Sequence, residues 1–352
     1  MQRGQIFKRH GAWHVRYRLD GKQVSRKLAE YCDEYRTVTS VRQLADDILQ
    51  PINQGRQSTG TETLQHFIEA SYLPHTKLHK RPSTHRGYKN LYNRYISSRV
   101  SGVRVSSFRT RDAQSLLNEI AAKGELSHLT LIHVKSFLSG VFSFAKRMGS
   151  FDGANPIEGT EVPKGKESQA TYAYSNKEIE QMRKTLNGVS RVAVTVAAYT
   201  GLSLGELQGL KWEDISREQL NVNRTIWHGI EGLPKTNARK DAVPLLPAVK
   251  TELQDHRKKN PTTLWVFEGP YARPLDLATL GSKSIKTALA DTAAAWKGWH
   301  ALRRGFATRL HEAGVQDKII QSLMRHSSLS VTMKHYVKAL PAANIEAMQK
   351  LK

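Results

Sequence analysis

The chain is 352 residues long, more than one domain usually holds, and 39% of its residues are apolar, enough for two or three real cores. Its 54 Lys and Arg against 31 Asp and Glu leave a formal net charge of +23, a self-repulsion most readily tolerated beside a polyanion such as nucleic acid. A single cysteine, Cys32, excludes an intramolecular disulfide framework and a zinc cluster of paired thiolates, and the fourteen histidines show no metal-ligand spacing.

Residues 5 to 28, QIFKRHGAWHVRYRLDGKQVSRKL, alternate as strands do. Ile6, Trp13, Val15 and Tyr17 mark the apolar positions, HG and LDG mark turns, and Val24 begins a third segment, so a small three-stranded sheet is expected. Arg16, Arg18, Lys22, Arg26 and Lys27 crowd it, and a basic sheet of this size can lay strands in a DNA groove. From Thr61 the pattern turns helical. TLQHFIEASYLP ends at a proline, RPSTHRGYKNLYNRYISSRV carries aromatics at helical intervals, RTRDAQSLLNEIAAKG ends at a glycine, and SHLTLIHVKSFLSGVFSFAKRMG completes a bundle of about four helices. Residues 61 to 150 hold fourteen Lys and Arg against five Asp and Glu, a marked basic excess. The bundle is therefore a second expected phosphate contact, with Arg81, Arg86 and Lys89 its candidate side chains.

GANPIEGTEVPKGKESQAT, residues 153 to 171, reads as an extended linker. Beyond it Ser175 and Glu178 are spaced as a helix capping box, and a strand, turn and strand are expected between about 219 and 246. No apolar run approaches the roughly eighteen residues that span a bilayer, and MQRGQIFKRHGAW has no apolar stretch like that of a signal peptide. A cytoplasmic protein without a membrane partner is expected. The whole reads as mainly α with small β elements, an α+β chain divided at 1–58, 59–152, a linker at 153–171, and 172–352.

WHALRRGFATRLHEAGV opens a helix in which Leu302, Phe306 and Leu310 recur toward a core, with His300 and Arg303 three apart near its N-terminus. An HxxR pair alone is common. Three neighbours give it weight: MRHSSLSVTMKHYVK, Lys235 in the turn before DAVPL, and YTGLSLGELQGLKWEDIS. In this order the phrases resemble those of the tyrosine recombinases, specifically the phage-type integrases, over nearly the whole chain. The resemblance implies an arm-site-binding sheet at the N-terminus, a SAM-like helical core-binding domain and a C-terminal catalytic domain. It matches His300 and Arg303 to the HxxR box, His326 to the histidine that follows, Tyr336 to the nucleophile, Lys235 to the β-hairpin lysine and Glu206 to the acidic residue of the first box. Two departures stand out. Ser203 occupies the place of the first box's arginine, and Tyr336 lies ten residues past His326 where many members have nine. Arg304 and Arg325 are cations flanking the motif residues.

The resemblance implies site-specific cleavage and rejoining of DNA through a 3′-phosphotyrosyl link, integrating or excising a mobile element. Such chemistry stabilises charge on nonbridging oxygens with preorganised Arg and His donors and requires no cofactor or metal, in keeping with the lack of a P-loop. It implies double-stranded attachment-site DNA and a tetrameric synapse of like protomers as partners, with room for accessory DNA-bending proteins. Ser203 leaves a second reading open, a catalytically impaired descendant that binds DNA at attachment sites.

Overall fold

The computed structural model describes residues 2–19, 22–53, 62–167, 171–234 and 241–328. The chain divides into two compact units, Met1–Gln169 and Ala170–Lys352.

In the first unit the expected sheet is an antiparallel meander of β1 (Gln5–Arg9), β2 (Ala12–Leu19) and β3 (Lys22–Glu30). His10 and Gly11, both at positive φ (50° and 72°), make the tight turn between β1 and β2. Alternation along β2 sends Val15 and Tyr17 to one face, where Ala45 and Leu49 of α1 (Arg42–Asn53) close a small core. The helical rod that follows is α2 (Leu64–Phe67), a π turn at Ile68–Tyr72 and α3 (Leu73–His79). The expected stop at Pro74 is corrected here: Pro74 sits in the first turn of α3, where its missing N–H costs little, and the wider π turn just before it absorbs the ring. Then come α4 (Pro82–Leu91), α5 (Thr110–Ala121) and α6 (His128–Met148), the last capped by Ser127 and ended by left-handed Gly149. Phe67, Ile96, Leu117, Phe137 and Phe142 fill the centre of this bundle.

Residues 153–162, in the expected linker, are not extended away from the bundle but fold back onto it with Phe151. Phe151 and Ile157 are buried in the bundle core, and the Asn155 amide donates to the Ser139 carbonyl at 3.0 Å. Two apolar side chains and a satisfied amide outweigh the Gly and Pro content here.

The second unit begins with α7 (Asn176–Thr185) and α8 (Gly188–Thr200), whose residues Val192 to Ala198 are all buried. α9 (Leu204–Gln208) follows, then β4 (Gln219–Leu220), β5 (Thr225–Trp227), β6 (Ile230–Gly232) and β7 (Val243–Pro244). β4 pairs with β7 and β5 with β6. Strands β4, β5 and β7 lie where expected, and a tight turn at His228 and Gly229 (φ 48° and 78°) adds β6; of the turn expected in LPKTNARKD, residues 233–241, positions 235–240 lie outside the described residues. α10 (Pro247–Lys259), α11 (Leu277–Leu280), a π turn at Gly281–Ile285 and α12 (Lys286–Ala288) lead to α13 (Trp299–Glu312) and α14 (Asp317–Leu323). Helix α8 is the hub of this unit, packed by α7, α10 and α13. Among the described residues no helix is long and apolar enough to cross a membrane, and no group of three or more His, Cys, Asp or Glu could hold a metal ion.

Candidate active site

The start of α13 is anchored before it carries any chemistry. Trp299 Nε1 donates to the Leu277 carbonyl at 2.9 Å, and the Tyr174 hydroxyl donates to the Ala295 carbonyl at 3.0 Å. Burial pushes that phenol well above its ordinary range, so Tyr174 stays neutral and acts as a strut. Leu302 and Phe306 are buried as expected, and Leu310 is half-buried. His300 and Arg303 are one turn apart with unlike surroundings: His300 is exposed at the helix end, while Arg303 is 4% exposed because α13 descends into the core.

Arg303 joins three segments. One arm donates to the Gly201 carbonyl, the other to the Met324 carbonyl, and Nη1 lies 3.8 Å from Glu206 Oε2. Gly201 is at φ 63°, ending α8 in the left-handed region, and a β-carbon there would meet Phe306 Cδ1 at 2.6 Å. Only glycine lets α8 turn and α13 approach at one point. Ser203 then caps α9, and its backbone N–H donates to Glu206 Oε2 at 2.8 Å. The Glu206 carboxylate is fully buried, and Arg325 Nη2 donates to the same Oε2 at 3.0 Å. One negative charge is thus set between two guanidiniums.

The next box closes from the other side. The His326 N–H donates to the Gln321 carbonyl at 3.1 Å, and Gln321 Nε2 returns a bond to the His326 carbonyl at 3.1 Å, so the turn after α14 is clamped and His326 is half-buried. Of the two flanking cations, Arg304 reaches away to the Tyr172 carbonyl at 2.7 Å, and Arg325 reaches Glu206. Glycines also place the hairpin. β-Carbons at Gly205 and Gly209 would meet the Ile226 and Arg224 carbonyls at 2.9 Å, so their absence lets β5 lie against α9. The chain leaves β6 through Leu233 and Pro234 toward position 235. Lys235 and Tyr336 lie outside the described residues, as does the tail from 329 to 352.

The expected DNA contacts divide. Arg16 and Arg18 are exposed on the sheet face opposite α1, with the Arg16 guanidinium 4.6 Å from the Phe7 ring and Phe7 stacked on His14. Lys22 pairs across from Leu19, and Arg26 from Val15, which puts both on the α1 face. Lys27, opposite His14, falls on the open face by plain alternation from Arg26, and the β-bulge between Trp13 and His14 comes only after it. In the bundle α4 has no buried residue; Arg81 is its N-cap, and Arg86 and Lys89 are exposed three apart.

Residues 171–342 match the phage integrase family. The chain belongs to the tyrosine recombinases. Site-specific DNA recombination is the class of function of this family. A XerC-like tyrosine recombinase of Caldanaerobacter subterraneus is 27% identical over 311 residues, covering 78% of this chain and 79% of the relative. The integrase of Escherichia phage HK022 is 26% identical over 266 residues, 72% of this chain and 70% of its own length. Among solved structures, the integrase of transposon Tn1549 in complex with transposon right end DNA superposes with a TM-score of 0.68 at 20% identity, over 82% of this chain and 99% of that chain. A lambda integrase tetramer bound to a Holliday junction superposes with a TM-score of 0.61 at 19% identity, over 96% of both chains. At these identities the structures establish the fold.

Proposed function

We propose that this recombinase cuts and rejoins double-stranded DNA at the attachment sites of a mobile element, integrating or excising it through a covalent tyrosyl intermediate. The observation that carries the reading is the convergence of Arg303, Glu206 and the His326 turn on one locked site, with His300 one helical turn away.

In the proposed reaction Tyr336 Oη attacks the scissile phosphorus and loses its proton to His300, which stands exposed at the first turn of α13. The bond from phosphorus to the 5′ oxygen breaks, and Lys235 gives that oxygen a proton. A 3′-phosphotyrosyl link and a 5′ hydroxyl result. The bond energy is kept, so reversal by another 5′ hydroxyl rejoins the strand. Arg303 and His326 donate to nonbridging oxygens as charge builds on them. Strand exchange between two duplexes breaks four strands, which calls for four protomers, and the lambda integrase tetramer supports that assembly. Arg16 and Arg18 on the open sheet face, and Arg81, Arg86 and Lys89 at α4, would hold the duplex through its phosphates. Ser203 favours a second reading, a descendant that binds attachment sites without cutting them.

Covalent trapping decides between them. Duplexes retained by the protein from DNA flanking its own coding region are nicked at successive positions and incubated with the wild type and with Tyr336→Phe. A denaturation-resistant adduct with the wild type that vanishes in Tyr336→Phe supports the recombinase. Tight retention with no adduct supports the binding protein.

A further inference from the structure

Position 203 holds a neutral side chain, yet the site around Glu206 holds two guanidiniums rather than one. Arg303 Nη1 and Arg325 Nη2 stand against the same carboxylate oxygen, at 3.8 and 3.0 Å. Arg303 comes from α13, and Arg325 from the turn after α14 that also carries His326. The two segments are tied, since the second arm of Arg303 holds the Met324 carbonyl. Arg325 is thereby placed by the same network that places Arg303.

The backbone at Arg325 points the same way. Its φ is 54°, in the left-handed region that a residue with a β-carbon seldom adopts and a glycine adopts freely. Arg325 is also 1% exposed, so a long, charged side chain is held both strained and desolvated. A structural turn needs neither feature. Glu206 brings one negative charge to two positive ones in a site from which water is withdrawn, an arrangement suited to a further anion.

We propose that Arg325 is the second phosphate-binding arginine of this enzyme, reaching the scissile phosphate from the His326 turn and doing what the neutral Ser203 cannot. The proposal rests on the recombinase reading. Glu206 stores both guanidiniums in the DNA-free protein, and docking of the duplex uncovers them together. As the pentavalent phosphorane-like state forms, Arg325 donates to one nonbridging oxygen beside Arg303. Ser203 stays the N-cap of α9, its N–H tied to the same carboxylate oxygen.

The test is the single-turnover rate of adduct formation on a nicked duplex at saturating protein, with retention of the duplex measured in parallel. Four proteins are compared: wild type, Arg325→Gly, Arg325→Lys and the double variant Ser203→Arg/Arg325→Gly. Arg325→Gly relieves the left-handed backbone and is expected to slow the reaction about 100-fold or more, the usual effect of deleting one transition-state donor, with retention unchanged. Arg325→Lys keeps a cation against Glu206, guarding against misfolding, and is expected to be roughly tenfold slow because it lacks the planar fork. The double variant is expected to recover most of the rate. A second substrate separates phosphate contact from a merely structural role: a duplex whose scissile phosphate carries a methyl group in place of one nonbridging oxygen. On it the deficit of Arg325→Gly shrinks if Arg325 serves the phosphate charge. Equal deficits on both substrates, or near wild-type rates for Arg325→Gly and Arg325→Lys, overturn the proposal. A wild type that retains DNA and forms no adduct overturns the recombinase reading along with it, so the two failures are told apart.

Discussion

Two helices of the second unit begin with the same four-residue arrangement, a serine N-cap and a glutamate three positions on. At α7 the Ser175 N–H donates to Glu178 Oε2 at 2.9 Å; at α9 the Ser203 N–H donates to Glu206 Oε2 at 2.8 Å. Locally they are the same capping device. Glu178 is partly exposed and its other oxygen takes the Tyr172 hydroxyl, so it only closes a helix end. Glu206 is fully buried, and the oxygen that caps α9 also meets Arg303 and Arg325. The motif sets the helix start; what lies above it, solvent or two guanidiniums, sets the function.

The sharpest way to break the comparison is to remove both carboxylates in turn. Glu206→Ala leaves two buried cations without their shared counter-charge and is expected to cost about 3–5 kcal/mol of stability, read as a lower urea midpoint by tryptophan fluorescence. A change as small as that of an exposed cap would mean that Glu206 does no more than Glu178. Next in size is Arg303→Lys. It keeps a charge beside Glu206 but gives up the fork that spans Gly201 and Met324, and the adduct rate is expected to fall about 10²–10³-fold with DNA retention little changed. Glu178→Ala should leave that rate alone.

Much of this was legible in the sequence. Strand alternation at 5–28, the Ser175 box and the Ser127 and Gly149 ends of α6 rest on short-range rules, and the structure shows each. The HxxR spacing located α13, but not that Arg303 would be buried while His300 stays exposed, because that depends on where α8 crosses. Arg325 is adjacent to His326 in the sequence, yet its partner lies 119 positions away, and no local pattern reports such a contact. Helix α1 is not among the expected elements, and the helical rod continues through Pro74 because a π turn is a backbone accommodation without a residue signature of its own. The face of Arg26 and Lys22 turns on the pairing register of β3 against β2, which alternation within β3 alone does not fix.

The same contrast between buried and exposed charge applies to the cations. Arg16 and Arg18 stand on an open face, so replacing both by alanine is expected to lower the slope of log affinity against log salt by about two, close to 0.9 for each phosphate contact, without altering the adduct rate on saturated DNA. Lys22→Ala, on the opposite face, should change the slope by clearly less than one contact. An equal effect would show that the duplex wraps the sheet rather than lying on one side of it.

The smallest effect is a titration. Partial burial works against the charged form of Glu178, but hydrogen bonds from Tyr172 and Ser175 outweigh it and hold the carboxyl below its ordinary value of 4.5. The folded state therefore binds this proton less readily than the unfolded chain. The stabilisation is fully present above that ordinary value and is lost as pH falls through the lowered folded one. Ser175→Ala should cost about 1 kcal/mol near neutral pH. Glu178→Gln should remove this carboxylate's share of the acid-induced loss, so its melting temperature falls less steeply than that of the wild type below pH 4.5. Parallel acid limbs would mean that the cap at α7 carries no charge-dependent stability, and the difference between the two Ser-x-x-Glu boxes would then lie wholly in the arginines above α9.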